Sequence, residues 1–229
     1  PPWTGESMRK FFSLIVVTAI IIAGAFQATA QDRKPKAQAE LLTELEIALE
    51  EEELVGVVWT AVTPDGIATA AAGLADAERK KPLSANSRVQ VGSITKTLIA
   101  AGVLRLITEE RLTLDSPVAA LLPQVKFENP WAPSHRVLVR HLLDHTSGLD
   151  DARLWQVFSL NAKPDTSLST NTQRGPLRIR SRPGSRLSYS NLGYTLLGMV
   201  IERVTNEPYE RYLDAHLLRP LGMHQSTFR

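Results

Sequence analysis

The sequence predicts an α/β fold of the α+β type, with an antiparallel sheet flanked by helices and a separate helical region. Two observations predict this class. Residues 54–63 are rich in Val and Trp, Pro64-Asp65-Gly66 is a turn sequence, and residues 67–74 can form the second strand of a hairpin. After Asp76 the apolar residues recur at helical spacing, and residues 94–107 are apolar on nearly every face.

The other elements follow in chain order. Apolar residues after Ala39 have helical spacing, and the glutamate run 50–53 is typical of a solvated helix end. Residues 88–91, RVQV, alternate like a strand and precede the helix 94–107. Residues 161–184 are polar and unpatterned, which indicates a surface loop. Further helices are predicted over 139–143, 192–204 and 209–218. Two glycines in the second of these are expected to permit close packing, Gly193 and Gly198.

The first thirty residues have the organisation of an export signal. Met8-Arg9-Lys10 is basic, residues 11–26 are almost wholly apolar, and Ala28-Thr29-Ala30 has small residues where cleavage requires them. We expect translation to start at Met8, cleavage after Ala30, and a periplasmic or secreted mature chain. The apolar run is shorter than the roughly 20 residues that span a bilayer, so no stable membrane span is expected after cleavage. A membrane-anchored structural protein is the weaker alternative.

Three parts are therefore expected along the chain. Residues 1–30 hold upstream residues and the signal peptide, residues 31–79 form the N-terminal part of the sheet domain, and residues 80–229 form a mainly helical domain.

Composition excludes several classes of function. The chain has 26 Lys and Arg against 24 Asp and Glu, and no basic cluster, so a nucleic-acid partner is not expected. It has no cysteine, which excludes disulfides, a thiol nucleophile and cysteine-bound zinc. Its five histidines do not have the spacing of metal ligands, so neither a metal nor another cofactor is expected.

The segment Gly92-Ser93-Ile94-Thr95-Lys96 places a serine at the start of the predicted buried helix and a lysine one turn later on the same side. A serine hydroxyl becomes a good nucleophile when a nearby base takes its proton. The helix N-terminus also favours developing negative charge. The same S-x-x-K spacing occurs by chance at Ser7 to Lys10, so spacing alone leaves open a serine that merely starts a helix.

A second pair of polar residues strengthens the catalytic interpretation. Tyr189 and Asn191 lie two residues apart, just before the predicted helix 192–204, so both side chains can point into one pocket. A tyrosine beside a lysine ammonium can carry a proton between Ser93 and a leaving group, while the amide fixes Lys96 or the substrate. The alternative is a tyrosine packed on the core with its hydroxyl satisfied.

Three segments together, VGSITKT, VRHLLDHTSGLDD and RPGSRLSYSNLGYTLLG, resemble the serine beta-lactamase and penicillin-binding-protein superfamily, in its class C beta-lactamase, D,D-peptidase and esterase branch. The resemblance runs from about Leu54 to Arg229. It implies a beta-lactamase-like fold with Ser93 as the acylated nucleophile, Lys96 and Tyr189 as its general-base pair, and Asn191 as a pocket amide. It also implies that the Ser93 backbone N–H forms half of the oxyanion hole.

The sequence departs from that family in one respect. Members carry a Lys-Thr-Gly or His-x-Gly motif on a later strand, and neither occurs in this chain. We therefore expect a C-terminally truncated member without the last sheet strands, and at best weak activity for the chain as given.

Several alternatives follow for function. The leading hypothesis is an exported serine hydrolase acting on a small-molecule or peptide substrate: a beta-lactam, a D-Ala peptide, an ester or an amide. The second is a catalytically inactive member, or a truncated fragment, that binds cell-wall peptide or a partner. A triad of Ser93 with His145 and Asp144 or Asp150 is disfavoured, because the serine lacks a G-x-S-x-G elbow. GSITKT also lacks the glycine before lysine that a phosphate-binding loop requires.

Overall fold

The computed structural model describes residues 38–64, 66–152, 167–172 and 175–228. These residues form helices and an antiparallel sheet, so the predicted α+β class is confirmed. The chain divides into two compact units, and the second begins at Arg88. The predicted signal peptide lies outside the described residues. Within the described ranges, no helix is long and apolar enough to span a membrane.

The first unit, called here the sheet unit, contains one helix and a three-stranded antiparallel sheet in the order β1-β2-β3. Its elements are α1 (Gln38–Glu51), β1 (Gly56–Thr63), β2 (Gly66–Asp76) and β3 (Lys81–Pro82). The predicted hairpin is confirmed, with Thr63 opposite Gly66 and Gly56 opposite Gly73. Because β3 pairs with β2, the unit extends to Ser87, beyond the boundary that the sequence placed before residue 80.

The second unit, called here the helical unit, contains five α-helices among its described residues. They are α2 (Thr95–Thr108), α3 (Val118–Leu121), α4 (Val139–Leu143), α5 (Asn191–Thr205) and α6 (Tyr209–Leu213). A 3₁₀ turn, Gly92–Ile94, leads into α2, and α6 continues as a π-helical turn, Asp214–Leu218. The predicted helices over 94–107, 139–143, 192–204 and 209–218 are thus confirmed, with small changes at their ends.

The core of the helical unit is built around α2 and α5. Their inner faces, with α6, contribute side chains that are fully excluded from solvent: Val103, Leu106, Leu196, Leu197, Ile201 and Leu213. Gly102 permits the approach of α6, because a Cβ there would overlap the Leu213 side chain. Gly198 permits the close approach of Leu168, because a Cβ at Gly198 would lie only 2.8 Å from a methyl group of Leu168. A Cβ at Gly193 would make only ordinary van der Waals contacts. Close packing was therefore predicted correctly for Gly198 alone.

Two local predictions were wrong. Residues 88–91 form no strand, and Val89 and Val91 are about half exposed, at 50% and 47%. Alternation favours a strand only where a partner strand is available, and none of the described strands pairs there. The predicted loop 161–184 lies in part outside the described residues, and its described part is not wholly a loop, since Leu177–Arg178 forms β5, which pairs in parallel with β4, Phe127–Glu128. Because the two strands are about fifty residues apart in the chain, no local sequence pattern indicates that they pair.

Candidate active site

The turn before α2 presents Ser93. Gly92 has a positive φ of 53°, a conformation that glycine adopts readily, and the 3₁₀ turn that follows brings Ser93 to the start of the helix. Lys96 lies one turn along, and its Nζ donates a hydrogen bond of 3.1 Å to Ser93 Oγ. The side chain of Ser93 is exposed and that of Lys96 is half-buried. The spacing seen in the sequence therefore brings a hydroxyl and an amine into direct contact.

The start of α5 completes the cluster. Ser190 is the N-cap of that helix, and its Oγ accepts a hydrogen bond from the Gly193 N–H. Tyr189, just before the cap, has its hydroxyl 2.8 Å from Ser93 Oγ. Asn191, just after it, accepts a hydrogen bond of 2.8 Å from Lys96 Nζ through Oδ1. All four side chains predicted from the sequence, Ser93, Lys96, Tyr189 and Asn191, thus form one hydrogen-bonded cluster.

The ammonium of Lys96 dominates the electrostatics of the cluster. Hydrogen bonding to Lys96, and then to Ser93, lowers the pKa of the Tyr189 phenol below its ordinary value of 10.0. Lys96 Nζ also lies 4.9 Å from the centre of the Tyr189 ring and 5.8 Å from that of Tyr194. Both contacts with Lys96 stabilise the phenolate form of Tyr189. The two oxygens that a proton transfer would join, those of Tyr189 and Ser93, are in hydrogen-bonding contact.

His145 contacts the cluster through Ser190 and Tyr189. Its Nδ1 accepts a hydrogen bond of 3.2 Å from the Ser190 N–H, and its ring centre lies 4.4 Å from that of Tyr189. Burial, followed by the charge of Lys96, lowers the pKa of His145 from its ordinary 6.5, which favours the neutral imidazole. A neutral Nδ1 is the acceptor that the Ser190 N–H requires.

The alternative triad finds no support in these contacts. Among the described residues, His145 makes no hydrogen bond to Ser93. Asp144 accepts hydrogen bonds from the Thr146 N–H and Oγ1, at 3.0 and 2.6 Å. Asp150 pairs with Arg180 at 2.8 Å. Neither carboxylate orients the imidazole, so the chain does not form the base and orienting acid that a triad needs.

Asp151 also belongs to the cluster and was missed by the sequence analysis. Its carboxylate accepts hydrogen bonds from the backbone N–H groups of Asn191 and Leu192, from the Asn191 side-chain amide, and from Ser190 Oγ. Nothing in the sequence distinguishes Asp151 from Asp150 beside it, because the contacts are made 40 residues further along the chain. The only local signal is the position of the pair directly after HTSGL.

Within the described ranges, no three His, Asp or Glu side chains lie close enough together to hold a metal ion. The polar groups that the cluster brings together are a serine hydroxyl, a lysine amine, a tyrosine phenol and an asparagine amide.

The cluster thus joins a serine and a lysine at the start of one helix of the core to a tyrosine and an asparagine at the start of another. The sequence model of the Beta-lactamase family matches residues 39–229, and the chain belongs to that family. Esterase EstB from Burkholderia gladioli is 34% identical over 194 residues, which cover 79% of this chain and 49% of the esterase. The chain thus spans about half the length of this relative.

Solved structures agree with the family assignment and with the predicted beta-lactamase-like fold. D-amino acid amidase from Ochrobactrum anthropi SV3, in complex with L-phenylalanine amide, matches with a TM-score of 0.65 and 26% identity, covering 82% of this chain and 52% of the amidase. The octameric penicillin-binding protein homologue from Pyrococcus abyssi matches with a TM-score of 0.67 and 26% identity, covering 82% of this chain and 44% of that one.

Proposed function

We propose that this chain carries the nucleophilic half of a serine hydrolase that works through an acyl-enzyme on Ser93. The observation that supports the proposal is the pair of hydrogen bonds to Ser93 Oγ, one from Lys96 at 3.1 Å and one shared with Tyr189 at 2.8 Å. A nucleophile held between an ammonium and a phenol that can act as its base, in a protein family with an esterase and an amidase among its relatives, fits acyl transfer best.

The proposed reaction has two stages. Tyr189, as the phenolate beside the Lys96 ammonium, takes the Ser93 proton, and Oγ forms a bond to the substrate carbonyl carbon while the carbonyl oxygen becomes an oxyanion. The oxyanion is held by donors that include the Ser93 N–H at the start of α2. As the carbonyl re-forms, the bond to the leaving nitrogen or oxygen breaks, and Tyr189 returns the proton to that atom. Water then repeats these steps on the acyl-enzyme and frees Ser93.

Asn191 is proposed to fix the ammonium. Lys96 is donor-only, and the Asn191 Oδ1 at 2.8 Å gives it a defined acceptor in addition to Ser93. An ammonium that Asn191 fixes in this place stabilises the phenolate of Tyr189 in each step of the reaction.

The substrates are proposed from the relatives. EstB is named as an esterase, and the Ochrobactrum protein as a D-amino acid amidase. We propose a small-molecule or peptide substrate with a transferable acyl group: an ester, a beta-lactam or a D-Ala peptide. Export is proposed from the basic and apolar composition of residues 8–30, and N-terminal sequencing of the exported chain should then find Gln31 first.

Covalent labelling tests the proposal directly. The purified chain is incubated with a fluorescent penicillin and with a nitrophenyl ester, and intact mass spectrometry counts the acyl groups. We expect one group per chain, attached to Ser93, and none in Ser93→Ala. The exposed Ser134→Ala variant is the matched control and should be labelled normally. Absence of labelling by both reagents, or equal labelling of Ser93→Ala, would show that Ser93 is not an acylated nucleophile.

A further inference from the structure

The carboxylate of Asp151 divides its contacts between two oxygens. Oδ1 accepts hydrogen bonds from the Asn191 N–H at 2.6 Å, the Leu192 N–H at 3.1 Å and Ser190 Oγ at 3.3 Å. Oδ2 accepts one from the Asn191 side-chain amide at 3.0 Å. The first oxygen thus satisfies backbone groups at the beginning of α5, and the second contacts the Asn191 side chain.

The Asn191 side chain lies between two groups of opposite hydrogen-bonding character. A carboxylate only accepts and an ammonium only donates, so the NH₂ group must face Asp151 and Oδ1 must face Lys96. The reverse orientation would place the NH₂ group against the ammonium and Oδ1 against the carboxylate. Asp151 and Lys96 therefore both favour the same orientation of the amide.

The backbone around Asp151 is fixed independently of α5. Leu149 forms a β-bridge with Ile179, and the Asp150 N–H donates to the Arg178 carbonyl at 2.9 Å. Leu149 is 2% exposed, so this anchor is part of the core. A carboxylate carried on such an anchor can hold a neighbouring side chain in one orientation.

We propose that Asp151 is a positioning residue for the Ser93 site. It selects the orientation of the Asn191 amide in which Oδ1 receives the Lys96 ammonium, and it thereby holds Nζ within hydrogen-bonding distance of Ser93 Oγ. The kinetic consequence rests on the proposed function, whereas the orientation of the amide does not.

The central variant is Asp151→Asn. It keeps an oxygen where Oδ1 caps α5 and replaces Oδ2 by an NH₂ group, so two donors face each other and the Asn191 amide must turn its own NH₂ group toward Lys96. We expect the rate constant for acylation by the nitrophenyl ester to fall by about 10²-fold, the order expected for a misplaced catalytic group. The half-saturating ester concentration and the thermal midpoint should change little.

The matched control is Asp150→Asn. This neighbouring carboxylate pairs with Arg180 on the surface, with both side chains more than half exposed, and makes no described hydrogen bond to the four clustered side chains. We expect its acylation rate to stay at the wild-type level. Equal rates for the two variants would overturn the proposal.

An exchange of Asp151 and Asn191 distinguishes an effect on the orientation of the amide from a general effect on the structure. In Asn191→Asp two carboxylates face each other, so the variant should be slow. In the double variant Asp151→Asn with Asn191→Asp, the new amide donates to the new carboxylate, whose other oxygen accepts from Lys96. We expect the double variant to acylate at least about tenfold faster than Asp151→Asn, a coupling that independent sites would not show. A double variant as slow as the product of the single losses would contradict the proposal.

Nuclear magnetic resonance distinguishes the failure of this proposal from the failure of the proposed function. The side-chain ¹⁵N–H₂ signals of Asn191 should shift in Asp151→Asn and stay in place in Asp150→Asn, whether or not Ser93 can be acylated. If the wild type is not acylated but the signals shift as expected, the hydrolase proposal fails and the role of Asp151 stands. If the signals do not shift, the role of Asp151 is wrong.

Discussion

The two units of this protein differ in how they bury apolar side chains. In the sheet unit, the described core consists of Leu49, Ala70 and Ala72, and large apolar residues such as Val62 and Ile67 are 79% and 73% exposed. In the helical unit, α2, α5 and α6 enclose many side chains that solvent does not reach. Ser93, Lys96, Tyr189 and Asn191 all belong to the helical unit.

This difference shows where a site of fixed geometry can be built. The cluster needs Ser93 and Tyr189, which are 96 residues apart in the chain, to stay within hydrogen-bonding distance. The helices that begin directly after them, α2 and α5, share the most buried part of the protein, and close packing restricts their movement. A sheet that leaves its apolar residues in solvent offers no such restraint.

The largest expected effect concerns the chemistry of the helical unit. Tyr189→Phe should lower the acylation rate by roughly 10² to 10⁴, the usual contribution of a general base, without changing stability. Because the pKa of Tyr189 is lowered and the proposed reaction uses its phenolate, the wild-type acylation rate should rise with pH, with the midpoint of this rise below pH 10.0. This rise with pH should be absent in Tyr189→Phe. Stopped-flow measurements with the nitrophenyl ester provide the test.

Tyr212→Phe is the matched control for that measurement. Tyr212 is 1% exposed and makes no contact with the Ser93 cluster, and within the described part of the chain its hydroxyl forms no hydrogen bond of ordinary length, although it interacts with Arg105. Removing this hydroxyl should leave the acylation rate at the wild-type level and change the free energy of unfolding by no more than about 1 kcal/mol. If the acylation rate of Tyr189→Phe still rises with pH as in the wild type, a group other than Tyr189 is the general base.

A smaller effect is expected on stability, and it differs between the units. Leu106→Ala, in the core of α2, should lower the free energy of unfolding by about 2 to 5 kcal/mol, because the residue is fully buried. Leu54→Ala, in the sheet unit, should change it by no more than about 0.5 kcal/mol, because the side chain is 56% exposed. Urea unfolding followed by circular dichroism measures both. Equal losses would contradict the contrast between the two cores.

The smallest effect is expected on self-association. Strand β1 is at the edge of the described sheet, and Val62 on it is 79% exposed, so its backbone and side chain can template contacts with another chain. Val62→Lys should reduce concentration-dependent association in sedimentation velocity. Leu104→Lys, at a site 49% exposed on α2, is the control and should have less effect, because a helix has no unpaired backbone edge. A larger effect at Leu104 would place the association on the helices.

The sequence predicted best those elements whose signal is local. The helix over 94–107, the hairpin around Pro64 and the short helix 139–143 each follow from spacing within one segment, and the structure has all three. The strand predicted over 88–91 failed, because alternation alone does not supply a partner. The strand Leu177–Arg178 went unpredicted, because its partner lies about fifty residues earlier in the chain.

The same distinction applies to the site. Ser93 and Lys96 lie on one helix turn, so their contact follows from the 3.6-residue period of a helix. Tyr189 and Asn191 could be predicted as a pair before a helix, and family resemblance joined them to Ser93. Asp151 could not be found in this way, since its contacts depend on how the loop after HTSGL meets the start of α5.

By itself, the sequence determined the α+β class and the position of most helices, which follow from residue type and from spacing over one or two helix turns. Ser93, Lys96, Tyr189 and Asn191 were predicted as site residues from the resemblance of their segments to family motifs, because spacing alone left their roles open. The tertiary structure alone decided that Asp151 orients the Asn191 amide and that His145 accepts from the Ser190 N–H. Hydrogen bonds between distant segments depend on the packing of helices against a common core, and no local pattern encodes that packing.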